Sequence, residues 1–184
     1  MTERRRVRID GKAPARRNKA APAIPEPSDC TCPRLDPDDW HGVENDWHDI
    51  AFVRSATKAV LGVPVGYDVS RADLFKRAEK LGATVPEDAM LLLGSGKFRR
   101  EILLEIEGAP DDAKGIVRPG GMAFTWLVEA PWGKMRQVVD EASEVATERF
   151  GRAPDDVWIW YLTCRQCSTE RNFETLVIAH YRKP

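Results

Sequence analysis

Long apolar runs are missing from this chain: in 184 residues no stretch reaches the roughly 18 apolar positions that a membrane-spanning helix needs. The basic N-terminus is not followed by the apolar core of a secretory signal, so the expected compartment is the cytoplasm. A one-sided charge is missing as well. Lys and Arg number 28 against 29 Asp and Glu, a net charge of -1 that excludes a chain built as a whole to bind nucleic acid or an anionic membrane. Histidine is scarce, with 3 residues too scattered for a zinc-hydrolase motif. No Gly-x-Ser-x-Gly elbow occurs, and Gly94-Ser95-Gly96 lacks the spacing and the Lys-Ser/Thr ending of a phosphate loop. Cysteine is limited to 4, which in a reducing compartment read as thiols or metal ligands rather than disulfides.

The charge that is present is unevenly placed. Residues 1–28 hold Arg4, Arg5, Arg6, Arg8, Lys12, Arg16, Arg17 and Lys19 with almost no large apolar side chain, so they cannot bury enough surface to offset their ordering entropy. This head reads as a disordered basic tail, a solvated extension or a weak polyanion contact. Residues 29–49 read as an irregular acidic lead-in that Trp40 and Trp47 pin to the domain. The domain proper spans residues 50–184.

Within it the second half repeats the first. Val65-Gly66-Tyr67 and Pro86-Glu87-Asp88 return as Ala130-Pro131-Trp132 and Pro154-Asp155-Asp156, and Arg100-Glu101 is echoed by Phe173-Glu174. Apolar stripes predict one helix from an N-cap at Ser70 through Leu74, Phe75, Ala78 and Leu81, and another from Met135 through Val138, Val139, Ala142, Val145 and Ala146 to Phe150. Phe52-Val53 and Ala59 to Val65 read as the first strand region, in which Gly62 and Pro64 mark an edge or irregularity; Met90 to Leu93, Ile102 to Ile106, Gly121 to Val128, Val157 to Leu162 and Thr175 to Ala179 read as further strands. The expected fold is α+β: a β-α-β-β unit duplicated with pseudo-twofold symmetry over about 50–108 and 113–181, giving an antiparallel sheet with two helices on one face.

Two close pairs, Cys30-Thr31-Cys32 and Cys164-Arg165-Gln166-Cys167, supply the four soft donors of a structural zinc site once folding joins them. The alternatives are plain thiols and a redox dithiol, the latter weakened because no thioredoxin-like strand-helix context surrounds the C-x-x-C. Glu174 opens the last strand; among tryptophans its carboxylate would pair a cationic ligand, act as a general base, or simply stand at an edge. Glu129 is the second acidic candidate. Trp126, Trp132, Trp158 and Trp160 have surface enough for a ligand slot, with Tyr67 at its mouth, although core packing is the competing fate for at least two of them. Alternation puts Trp158, Trp160 and Leu162 on one face of their strand and Val157, Ile159 and Tyr161 on the other.

The duplicated unit, the Gly66-Tyr67 and Pro131-Trp132 steps into each helix, and Glu174 leading the closing strand together resemble the GyrI-like small-molecule-binding domain, over about residues 50–181. The flanking Cys30-Thr31-Cys32-Pro33, Asp36-Pro37-Asp38-Asp39-Trp40, Phe52-Val53 and Thr163-Cys164-Arg165-Gln166-Cys167 look like a bacterial and archaeal subgroup of such proteins, often labelled hydrolases by inference only. In that subgroup the first cysteines are usually adjacent, whereas Thr31 separates them here.

The resemblance implies a cleft between the repeats for a bulky, planar or cationic molecule, with Glu174 as the polar contact. It also implies a likeness to hydrolases that open strained cyclopropane rings. The leading expectation is a stand-alone, cytoplasmic small-molecule-binding domain with a structural zinc. The alternatives are a hydrolase of a reactive xenobiotic in the same cleft, through Glu174 or Glu129, and a zinc-stapled interaction module whose basic tail touches nucleic acid weakly. No membrane partner is expected.

Overall fold

The computed structural model describes residues 6–7, 32–60, 63–110, 113–164 and 166–182. The reading of residues 1–28 as a disordered tail, Arg6 and Val7 apart, and the assignment of Cys30 as a metal ligand lie outside the described residues. A two-residue strand, β1 (Arg6–Val7), pairs with β2 (Val43–Asp46), so a segment read as tail carries a regular element. The lead-in is likewise not irregular throughout. It holds β2 and, before it, the single turn α1 (Pro37–Trp40), where Asp36 caps the free N–H of Asp38 at 2.9 Å and Pro37 starts the helix.

The remaining strands are β3 (Ala51–Val60), β4 (Val63–Val65), β5 (Leu91–Gly94), β6 (Arg99–Ile106), β7 (Ile116–Val117), β8 (Met122–Glu129), β9 (Asp156–Tyr161) and β10 (Glu174–Tyr181). The long helices are α2 (Tyr67–Lys80) and α3 (Met135–Phe150). Among the described residues the strands form one open antiparallel sheet in the order β1-β2-β8-β10-β9-β5-β6-β3-β4, with β7 also on β3. The α+β class is as expected. The helix start differs: Ser70 lies inside α2, and its N–H donates to the Gly66 carbonyl at 3.0 Å. Gly66, with φ of 74°, turns the chain straight from β4 into the helix, which leaves no extended residue for a serine cap.

Sheet register sorts the side chains into two layers. Leu93 pairs with Ile159, Ile159 with Val177, and Ala179 with Phe124, and this face receives both helices. Leu74 and Ala78 of α2 pack on Val53, Ile102, Leu104 and Ile106, while Ala146 of α3 packs on Phe124, Ala179 and Tyr181. The opposite face carries Phe52, Leu92, Leu103, Trp158, Trp160, Leu176 and Ile178, and the lead-in closes over it with Trp40 and Trp47. β4 is an edge strand. Ala59 donates its N–H to Phe98 on the β6 side at 2.8 Å, so its partner Pro64 has its nitrogen turned to the open edge, where an amide would otherwise offer itself to another strand.

Candidate functional site

Three groups of side chains converge near the segment that joins β9 to β10. The first is thiol. Cys164 and Cys167 lie on a tight turn in which Ser168 donates its N–H to the Cys164 carbonyl at 3.0 Å and Arg171 donates its N–H to the Cys167 carbonyl, also at 3.0 Å. Cys32 reaches this turn from the lead-in, and its sulfur accepts the Cys164 N–H at 3.1 Å. The sulfurs of Cys32, Cys164 and Cys167 all lie within 4.8 Å of one another. Folding therefore joins the two sequence-distant halves of the expected metal set, Cys30 excepted.

The second group is ionic. Arg171 pairs with Glu174 through both its Nε, at 3.1 Å from Oε2, and its Nη2. It also donates to the Leu162 carbonyl at 3.2 Å and to the Pro33 carbonyl at 2.7 Å, the residue beside Cys32. Glu174 thus meets a cation from its own chain. Glu129 stands directly opposite Glu174 across β8 and β10, and Asn172 donates to it at 3.2 Å. The two acidic candidates are consequently brought together, at a spacing where facing Cβ atoms are about 5 Å apart.

The third group is aromatic and lies on the helix side. Trp132, in a short 3₁₀ turn ahead of α3, is 55% exposed and sits edge-on to Tyr161 at 6.2 Å and to Phe173 at 6.1 Å. Tyr67, at the start of α2, packs with Tyr161 on the same apolar cluster. Burial pushes the Tyr67 hydroxyl up to about 12, against a smaller opposing pull from Arg71. Burial also raises Tyr161, while Arg100 holds it back by charge and hydrogen bond. Both phenols are therefore neutral donors at ordinary pH. Asn172 and Phe173 have φ of 48° and 57°, and a left-handed Phe costs roughly 1–2 kcal/mol. That conformation presents the Phe173 ring to Trp132 and sends Glu174 into the sheet.

The six expected ligand residues do not share one cleft. Tyr67 and Trp132 both lie by Tyr161 on the helix side. Trp158 and Trp160 are 7% and 3% exposed within the core on the opposite face. Trp126 packs with Phe124, Val145 and Phe150 near α3 and against His41, ring centroids 4.4 Å apart. Sequence reasoning missed Arg171, Tyr161 and Phe173. Alternation already put Tyr161 opposite the buried tryptophans, which was the usable signal; Arg171 belongs to an irregular turn that carries no periodic mark.

An open antiparallel sheet with helices on one face and a thiol-bearing strap on the other defines an α+β protein of the small-domain type. The chain belongs to the bacterial hydrolase family, whose profile matches residues 24–180. It is also similar to part of the aspartate–tRNA(Asp/Asn) ligase of Mycobacteroides abscessus, 27% identical over 126 residues that make up 67% of this chain and 21% of the ligase. The same enzyme of Mycobacterium leprae is 27% identical over 135 residues, 70% of this chain and 22% of the ligase. The chain spans about a fifth of the length of the curated relatives it matches. Among the described residues no helix is long and apolar enough to cross a membrane.

Proposed function

We propose that this protein binds a planar, apolar or cationic small molecule in the groove between the starts of α2 and α3, as a GyrI-like domain built from a duplicated β-α-β-β unit. The single observation that carries the reading is Trp132, a large indole left in solvent yet held in one orientation by Tyr161 and the strained Phe173. Indole faces favour flat rings and cations, and the neutral hydroxyls of Tyr67 and Tyr161 add donors for a polar edge. Because Glu174 already pairs with Arg171, the aromatic faces rather than Glu174 carry the affinity. A titration with an acridine dye, a flat aromatic cation, tests this. Trp132→Ala should weaken binding about tenfold or more, the equivalent of roughly 1.4 kcal/mol; equal affinity in that variant sinks the groove as the site.

Membership of the bacterial hydrolase family favours a second reading, hydrolysis of a reactive electrophile. The facing Glu129 and Glu174 support it: the more exposed Glu129 would take a proton from water, and Glu174, held by Arg171, would position it. With an epoxide probe, Glu129→Gln should abolish time-dependent product while leaving dye binding intact. The tRNA ligases' activity is not carried over, since about a fifth of their length is shared.

A further inference from the structure

We propose that Cys32, Cys164 and Cys167 hold one thiophilic divalent cation, zinc by its donor set, and that this ion is a removable clamp which fastens residues 33–40 across Trp160 and so controls access to the cavity beneath them.

The spacing of the sulfurs suits a metal. Cys164 and Cys167 place their sulfurs 3.6 Å apart. A disulfide would require about 2.05 Å, whereas two thiolates about 2.3 Å from a tetrahedral ion lie roughly 3.8 Å apart. The Cys164 N–H that points at the Cys32 sulfur favours negative charge there, as a thiolate ligand requires. On binding, each thiol passes its proton to solvent, three protons released for one ion held.

The site sits at one end of a strap. From Cys32 the chain runs through Pro33, Leu35 and Asp39 to Trp40, and these residues with Trp160 and Glu87 border a cavity of about 400 Å³. The far end of the strap is secured without metal. Trp40 meets Trp160 edge-on at 6.0 Å, and the ring nitrogen Nδ1 of His41 is hydrogen-bonded to the Leu127 carbonyl at 2.8 Å. At the near end Arg171 donates to the Pro33 carbonyl, the Cys164 N–H donates to the Cys32 sulfur, and Leu35 packs on the core, with the thiol cluster beside them. Removing the ion would take away the ligand bonds that tie Cys32 to the turn of Cys164 and Cys167, and so loosen the near end of a wall hinged at Trp40. Loosening one end of a strap is a local opening, which costs less than global unfolding.

The clamp is independent of the dye groove, which lies on the opposite face of the sheet. The test uses the full chain, reduced and stripped with a chelator, then titrated with Co²⁺ and with Zn²⁺ while amide exchange is followed. One equivalent of Co²⁺ should produce a thiolate-to-cobalt charge-transfer band that Zn²⁺ displaces. Zn²⁺ should slow exchange of residues 33–40 about tenfold or more and leave α3 unchanged. Cys164→Ser should lose the band and the protection together. Absence of the band, a purified chain lighter by a pair of hydrogens as for a Cys164–Cys167 disulfide, or metal binding without change in the strap would each overturn the proposal. Unchanged dye binding in Trp132→Ala with the strap still responsive would count against the groove alone.

Discussion

At the scale of single residues, Tyr67 makes the clearest test of the helix-side groove. Its hydroxyl is pushed up to about 12 by burial, against an ordinary value of 10.0 in the unfolded chain. Between those values the unfolded state gives up a proton that the folded state keeps, so stability is complete below about pH 10 and falls as pH rises toward 12. The loss should approach the order of 2 kcal/mol and be absent in Tyr67→Phe, read from urea midpoints across that range. A flat profile in the parent chain would place Tyr67 in solvent. The residue scale is also where the sequence was least readable. Trp158 and Trp160 were recognisable as sharing a face, but whether that face met solvent depended on Trp40 and Trp47, more than 100 positions away. Glu174 was singled out correctly as a carboxylate at the head of a strand. Its pairing with Arg171 rests on a left-handed turn at Asn172 and Phe173, which Asn favours but Phe does not announce.

At the scale of elements, periodicity was enough for the long pieces. α3 matches its apolar stripe and stops at Gly151, whose φ of 68° suits the C-terminal turn. β6, β8, β9 and β10 fall on the expected apolar runs. Short elements escaped: β1, β2 and β7 hold two to four residues each, and pairing with a distant strand rather than local pattern makes them regular. Pro64 carries a prediction at this scale. The sheet ends at β4, and Val60, Val65 and Phe98 near this edge are 62%, 55% and 79% exposed, an arrangement that invites strand addition by another copy. Pro64→Thr would restore an outward amide. Sedimentation velocity should then show concentration-dependent self-association that the parent lacks, with little change in the monomer's unfolding midpoint. A variant that stays monomeric at all concentrations would mean the edge is protected by something other than the proline.

For the whole molecule, the decisive feature is that segments distant in the chain pair side by side in the one sheet. β2, from before the first long strand, lies on β8, and β7, from the start of the second half, lies on β3. The seam between β5 and β9 is short by comparison, with Leu93–Ile159 and Gly94–Trp158 the pairs in register among the described residues. In pulse-labelled refolding, amides of Val43–Asp46 should gain protection no earlier than those of Met122–Glu129. Earlier protection of β2 would show a docking partner other than β8.

The same crossing has a consequence during synthesis. Ribosomes add about 5–20 residues per second, so Cys32 waits on the order of ten seconds for Cys167 to be made. Through that interval the nascent chain exposes one half of a thiol set and the uncovered indoles Trp40 and Trp47, a window in which a holdase or a passing metal carrier has its best opportunity to act.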